Sequence, residues 1–415
     1  MYLALFSVAF GSALTFAQAA ALFHLLELDT YVAYRAVLNT MNVAAPFLCL
    51  GFDSSAPVLR RMNPDFPFFW NLLVLHTLAF LVLVALSITL PAASKLQPLT
   101  LGLAASTSVA AALTVANYHR TEGAIRRYFL SINVVDKTVR TAIIIGLAAV
   151  VHEVVPWAVL VATVSFAYVG LTSTRTGTRP QLNATIFAQH FRTSFPYIFS
   201  SLGIIALTRM PFYAAYLVEE KIATAKIDIW LLFTLFLLIP VLNKSKIEEA
   251  SSTGLAQRYL TAMKGSWRAL LKQELLISTG IVAAACGAVL VGKAAPADLL
   301  VIVLPLMIGM ILIASIPNYV QILCFTGQYS LGVKTSVLIT LIALVAYLPQ
   351  HVVGKAPTAF FFVGSALLYC GIGCGVARLL GTPIADFWRW RGALAIIGFS
   401  ATALIVAHAV LGHVA

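Results

Sequence analysis

Charge is scarce in this sequence. Only 10% of its 415 residues are Asp, Glu, Lys or Arg, against about 25% in a soluble domain. So few charges cannot cover a surface of this size in water, so lipid must face most of it. Acids are scarcer still, 15 against 27 basic residues. Buried carboxylates are therefore expected to be few, which argues against a proton relay built on Asp or Glu. Cysteine is sparse too. Cys49, Cys286, Cys324, Cys370 and Cys374 all lie in apolar runs with no CxxC pair. That excludes a disulfide frame or a thiolate metal site and leaves small packing residues. A Walker P-loop is missing, so ATP hydrolysis is not expected of this chain, and His152-Glu153 lacks the second histidine of HExxH. No carboxylate pair and no Ser or Cys beside a base suggests catalysis. A non-enzyme with no metal and no cofactor is the expectation. No cleavable signal is evident, because the first apolar run starts at residue 2 and is long enough to span.

What the chain has instead is apolar length: 60% hydrophobic residues and a mean hydropathy of +0.94. A spanning helix needs about 20 mainly apolar residues. Such runs fall near 3–25, 33–51, 68–90, 99–118, 140–151, 155–172, 195–217, 228–243, 274–292, 299–324, 334–349, 357–378 and 392–411. The fifth is short and is expected to begin earlier, near Val134. The fold class read from this is an all-α polytopic membrane protein of about 12–14 transmembrane helices. No segment could fold as a separate soluble domain. The longest polar connection carries an amphipathic stretch, Leu255 to Leu275, expected to lie on the membrane surface between two six-span lobes. The expected divisions are 1–180, 190–380 and an additional helix within 385–415. Asn183-Ala184-Thr185 matches a glycosylation acceptor by chance, since it falls in a loop expected to face the cytoplasm.

Lys and Arg set the orientation. With the N-terminus inside, inner loops hold 20 of the 27 basic residues, among them Arg60, Arg61, Arg120, Arg126, Arg127 and Arg140. Outer loops hold five: Lys95, Lys221, Lys226, Lys293 and Lys355. Arg35 and Arg209 lie inside spans. The basic residues are scattered in short loops, so the net charge of +12 implies topology and not a nucleic-acid partner. The expected location is a bacterial inner membrane, multi-pass, with a cytoplasmic N-terminus.

An arginine at mid-bilayer costs at least about 2.5–3.5 kcal/mol and normally faces a bundle interior or a wet cavity. Arg35 shares one helical face with Asn39 and Asn42 (i, i+4, i+7), and Arg209 shares one with Tyr213 and Tyr216. Span one carries a matching stripe of Ser7, Gly11, Thr15 and Gln18, and span four has Thr107, Thr114 and Asn117. Asn318 and Gln321 follow Pro317 in span ten. The plain reading is interhelical hydrogen bonding for the neutral residues and snorkelling for the arginines. The functional reading is a polar interior, which a snorkelling arginine would not need. Both stand at this point. Asp53 has Arg60 and Arg61 just beyond it, Asp228 sits where span eight begins, and Asp136 lies among basic residues as a charge partner. Pro46, Pro240, Pro305, Pro317 and Pro349 recur within or at the ends of spans; the kinks would suit a transporter that opens alternately to two sides, though proline is frequent in membrane helices anyway. Gly371-x-x-x-Gly375 is the small-residue spacing that lets membrane helices approach.

Two stretches resemble a known family. LLELDTYVAYRAVLNTMNVAAPFLCLGFDSSAPVLRR has an acid and a Tyr between spans one and two. It then runs through Gly51, Phe52, Asp53, Ser54 and Ser55 to Arg60 and Arg61. FRTSFPYIFSSLGIIALTRMPFYAAYLVEEKIATAKID restarts similarly, with Pro196 early in span seven and a charge in its middle. Both are similar to Wzx-type polysaccharide flippases of the multidrug/oligosaccharidyl-lipid/polysaccharide exporter superfamily. Two features depart from the pattern: VEEKIATAKID lacks the usual Gly and Tyr, and span thirteen is unpaired.

The resemblance implies two six-helix lobes around a central cationic cavity and translocation of an undecaprenyl-diphosphate-linked oligosaccharide for surface polysaccharide assembly (O-antigen, capsule or exopolysaccharide). Carried onto this chain, the cavity candidates are Arg35, Asn39, Asn42, Arg209, Tyr213, Asn318 and Gln321. Asp53, Arg60, Arg61, Arg120 and Arg140 would stand at the cytoplasmic mouth. The implied partners are the lipid-linked oligosaccharide, the bilayer, and the polymerase and glycosyltransferases of the same pathway. A multidrug exporter of the same superfamily is the first rival, and would want a carboxylate in its lumen. A membrane polymerase or ligase is the second, and would need a large outer loop.

Overall fold

The computed structural model describes residues 2–52, 55, 58–59, 69–91, 94, 96–121, 130–151, 156–157, 159–164, 184–218, 221–251, 255–347 and 358–412. Helix accounts for nearly all of them, and no strand occurs among the described residues. With hydrocarbon as solvent, backbone groups must be satisfied within each segment, so helices follow directly from the apolar runs. Five described helices are long and apolar enough to cross a membrane, or seven if two bent pairs each count as one span.

The chain divides into two compact units, Met1–Ser201 and Leu202–Ala415. Unit one contains α1 (Tyr2–Leu25), α2 (Leu28–Leu48), α3 (Phe69–Thr89), α4 (Leu96–Thr121) and α5 (Asp136–Ala148). A π-helical stretch, Leu130–Val135, leads into α5. The fifth span thus begins well before residue 140, as its short apolar run requires. α6 (Ala184–Val218) contributes its first half to unit one and its second half to unit two.

α2 packs on α4 at close range, with Gly102 lying against the Thr40 side chain and the Val37 carbonyl. After α2 the backbone turns through two left-handed residues, Leu50 (φ 52°) and Gly51 (φ 76°). Gly51 comes to rest on the backbone of Ser194 and Ile198 in α6. A side chain there would have no room, and only glycine takes that φ without penalty. Ser55 Oγ donates to Ser194 Oγ at 2.8 Å, and the Phe52 ring stacks on Phe187 at 6.0 Å.

Unit two continues with α7 (Lys221–Leu235), α8 (Ile239–Ser251), α9 (Ala256–Gly265), α10 (Trp267–Leu290), α11 (Leu304–Ala314), α12 (Tyr319–Phe325), α13 (Tyr329–Tyr347), α14 (Thr358–Leu379), α15 (Ile384–Phe387) and α16 (Trp390–Gly412). Three prolines account for its irregularities. α7 and α8 meet at 50° across a turn just before Pro240. Pro305 follows the π-helical stretch Leu299–Val303, and Pro317 separates α11 from α12. Pro46 lies inside α2, and Pro349 is outside the described residues.

Several expectations change here. The amphipathic stretch does not run from Leu255 to Leu275: it ends at Gly265, and the spanning helix starts at Trp267. Hydropathy hid those first two turns because they carry Arg268, Lys272 and Glu274. Asp228 is not a helix-end charge, since α7 begins at Lys221 and buries Asp228 in its third turn. Its neighbour Lys226 instead pairs with Asp298 at 3.0 Å. Buried carboxylates are also less scarce than the composition suggested: Asp136, Asp228 and Glu274 are all buried.

Gly371 and Gly375 do not form a packing face either. Both are exposed, and a Cβ on either would meet nothing within 4 Å among the described residues. Gly373, between them, lies against Ile316 and Tyr319, and Gly309 lies against the Phe362 ring. The buried face of α14 runs through Phe362, Ala366, Tyr369, Cys370, Gly373 and Ala377, which puts Gly371 and Gly375 on the opposite side. None of the five cysteines is in a disulfide among the described residues.

Candidate functional site

In unit one a set of polar side chains converges between α1, α2 and α5. Gln18 Nε2 donates to Tyr34 Oη at 2.7 Å, and Thr141 Oγ1 donates to Gln18 Oε1 at 2.8 Å. The Gln18 amide thereby joins three helices, and all three side chains are buried. The rest of the span-one stripe is engaged more locally. Ser7 is buried, Gly11 lies against the Asn133 backbone, and Thr15 Oγ1 donates to the Gly11 carbonyl at 2.8 Å. The plain reading of interhelical hydrogen bonding therefore describes Gln18, while Thr15 bonds within its own helix. Thr107 likewise donates to Ala104 of its own helix, at 2.7 Å. The side chains of Thr114 and Asn117 lie outside the described residues.

Arg35 stands on the same inner face of α2. It is 2% exposed, so it does not snorkel toward headgroups. Its guanidinium lies 5.9 Å from the centre of the Tyr34 ring, within the range of a cation–π contact. Asn39, one turn on, is fully buried, while Asn42 is half-buried. The i, i+4 part of the sequence pattern thus maps onto one interior face.

Arg140 and Asp136 form an ion pair one helical turn apart on α5, with both side chains 6% exposed. Arg140 Nη1 also approaches Met41 Sδ at 3.8 Å. Asp136 Oδ1 and Arg140 Nε have no hydrogen-bond partner among the described residues. The arginine expected at a cytoplasmic mouth is therefore engaged inside the helix packing of unit one. Asp53, Arg60 and Arg61 lie outside the described residues, as does the side chain of Arg120.

In unit two, Arg209 and Tyr213 are half-buried on α6 and Tyr216 is buried. Phe212 stacks on Tyr216 at 5.8 Å and meets Tyr213 edge-on at 5.4 Å. Asn318 acts locally, where its Oδ1 accepts the Gln321 backbone N–H at 3.3 Å and caps α12. Gln321 is 1% exposed, and its Nε2 lacks a partner among the described residues. That is an unmet donor in the interior of unit two.

The ion pair that sequence reasoning missed lies elsewhere in unit two. Arg389 donates to Glu274 Oε1 at 2.7 Å and Oε2 at 3.3 Å, and to the Ala314 carbonyl at 2.5 Å. Its backbone N–H donates to Ser315 O at 3.0 Å, and Trp388 Nε1 donates to Ser315 Oγ at 2.7 Å. This knot joins α10, α11 and the start of α16. The available signal was Glu274 itself, an acid next to a long apolar run. Among the described residues no cluster of His, Cys, Asp or Glu could hold a metal ion.

No protein-family model matches the sequence, and no curated protein is found similar to it. Solved structures do match over nearly the whole chain. A multidrug resistance MATE family transporter of the MOP superfamily, in its outward-facing conformation, is 13% identical with a TM-score of 0.60; the match covers 91% of this chain and 95% of that one. An inward-facing structure of such a transporter matches at 14% identity and a TM-score of 0.56, over 97% and 98% of the two chains. A MOP superfamily transporter from Pyrococcus furiosus, described by the reverse polarity of its binding pocket, matches at 13% and 0.52, over 98% and 94%. The chain has a multi-pass transporter fold. In particular, it is the fold of MATE transporters of the MOP superfamily.

Proposed function

We propose that this chain is an exporter of the flippase type, moving an undecaprenyl-diphosphate-linked oligosaccharide repeat from the inner to the outer leaflet of a bacterial inner membrane. The observation that carries the reading is Arg35, a guanidinium 2% exposed on α2, the helix that the second apolar run predicts as a span. Keeping it there costs at least about 2.5–3.5 kcal/mol on insertion scales, so such a residue is kept where its charge serves a function. A diphosphate entering hydrocarbon loses its hydration, and guanidinium groups replace that shell with forked, charge-assisted hydrogen bonds. Arg209 and Tyr213, half-buried one turn apart on α6, are cavity candidates on the family resemblance alone. Moving an anion outward from a negative interior gains about 2.3 kcal/mol per charge per 100 mV, so no ATP site is required.

The Pyrococcus furiosus transporter supplies a precedent, a shared fold accompanied by a pocket of reversed polarity and a suggested difference in function. The cytoplasmic N-terminus and the partnership with a polymerase and glycosyltransferases belong to the same proposal.

Multidrug export is the second reading. It is favoured by the multidrug transporters among the fold neighbours and by the buried carboxylates Asp136, Asp228 and Glu274. Deleting the gene separates the two readings. Loss of a surface glycan, with its lipid-linked precursor accumulating inside, is the expected result. A normal glycan with new sensitivity to cationic drugs would transfer the assignment to the exporter.

A further inference from the structure

α10 and α16 lie side by side and run in the same direction. At one end Gly392 rests against Leu271 and Arg389 pairs with Glu274; at the other, His408 Nδ1 lies 3.1 Å from the Pro296 carbonyl. Their first turns therefore stand at one level of the membrane. Those turns carry three exposed cations, Arg268 and Lys272 on α10 (i, i+4) and Arg391 on α16. The Arg391 guanidinium lies 5.1 Å from the centre of the Trp390 ring, itself 38% exposed.

None of the three cations has an ion-pair partner among the described residues. The acids beside them are already used: Glu274 by Arg389, and Asp386 by Lys264 at 2.7 Å. One turn deeper the surface becomes apolar, with Leu276 74% exposed on α10 and Leu394 57% exposed on α16. Unneutralised cations and a tryptophan at the level of the helix starts, above bare leucines, present a phosphate-binding edge over an acyl-binding wall.

We propose that this edge binds the headgroup of an anionic glycerophospholipid, in the leaflet facing the basic loops, with its acyl chains along Leu276 and Leu394. Arg268 and Arg391 would grip the phosphate diester with forked donors, and Lys272 would add a point charge. A zwitterionic lipid brings its own cation to the same edge and gains less. Free phosphate shares the headgroup chemistry but has nothing to lay against the leucine wall.

The test is native mass spectrometry of the full chain, released from bilayer discs of equal phosphatidylglycerol and phosphatidylcholine. The wild-type protein is expected to retain phosphatidylglycerol several-fold over phosphatidylcholine, and 10-fold excess inorganic phosphate over lipid is expected not to displace it. The R268Q/K272Q/R391Q variant should lose that preference. Equal retention of the two lipids by the wild type overturns the proposal without any variant. Displacement by phosphate, or an unchanged preference in the folded triple variant, overturns it too. Should the triple variant not fold, R268K/R391K, which keeps the charge but not the fork, decides: an unchanged preference overturns the forked grip, and a partial loss supports it.

Discussion

The Arg389 guanidinium faces both oxygens of the Glu274 carboxylate, 115 residues away in the chain, and both side chains are almost wholly enclosed. Removing one partner strands the other's charge, at a cost of about 3–5 kcal/mol for a buried pair. Arg389→Ala and Glu274→Ala should each lower the thermal unfolding midpoint of the purified protein strongly. Replacing both together, by Met and Leu, should cost much less than the sum of the single changes. Equal and additive losses would show that the two residues do not act as a pair.

The glycines of α14 and α11 supply a second set of outcomes. Gly309→Ala and Gly373→Ala place a methyl group against Phe362 and against Ile316 and Tyr319, and should destabilise by about 1–3 kcal/mol through overpacking. Gly371→Ala and Gly375→Ala point into open space and should be neutral, or stabilising by up to about 1 kcal/mol. Chemical unfolding of the four variants side by side gives the comparison.

Gln18 links α1 to α2 and α5 through one amide. Gln18→Leu should lower stability by about 1–2 kcal/mol, the range for interhelical hydrogen bonds in model membrane peptides. A double-mutant cycle with Thr141→Val should return a positive coupling, because both changes break the same bond. A coupling of zero would mean that the bond contributes nothing.

For transport, Arg35→Ala should abolish glycan export in a complementation assay, whereas Arg35→Lys should retain part of it. Lysine keeps the charge but loses the fork. Arg209→Ala is expected to be milder, since Arg209 is only half-buried. Full complementation by both alanine variants removes these arginines from any substrate path.

Much of this was readable from apolar run lengths. The described part of each expected span is largely helical, because a lipid-facing helix needs its hydrophobic length whatever its neighbours do. The Arg35–Asn39 face was readable in part: helical periodicity puts the two on one side, but the sequence left open whether Arg35 snorkels, and burial decides it. The Glu274–Arg389 knot was not readable. Nothing local links two residues 115 positions apart, and the charges of Arg268, Lys272 and Glu274 made hydropathy start α10 too late. The Gly371–Gly375 spacing misled for the opposite reason. Spacing fixes that two residues share a face, but only the neighbouring helices decide which face is buried. Arg140 looked like a loop cation because its partner Asp136 lies ahead of the apolar run, in the turn that the π-helical entry adds to the span.

The meeting of the α2 exit with α6 also has a consequence for biogenesis. Ser55 and Ser194 are 139 residues apart, and a ribosome adding about 5–20 residues per second needs roughly 7–28 s to cover that distance. During that interval the left-handed turn at Leu50 and Gly51 has entered the membrane without the surface it rests on. The nascent first unit must therefore wait, partly assembled, for the opening turns of the helix that leads into the second.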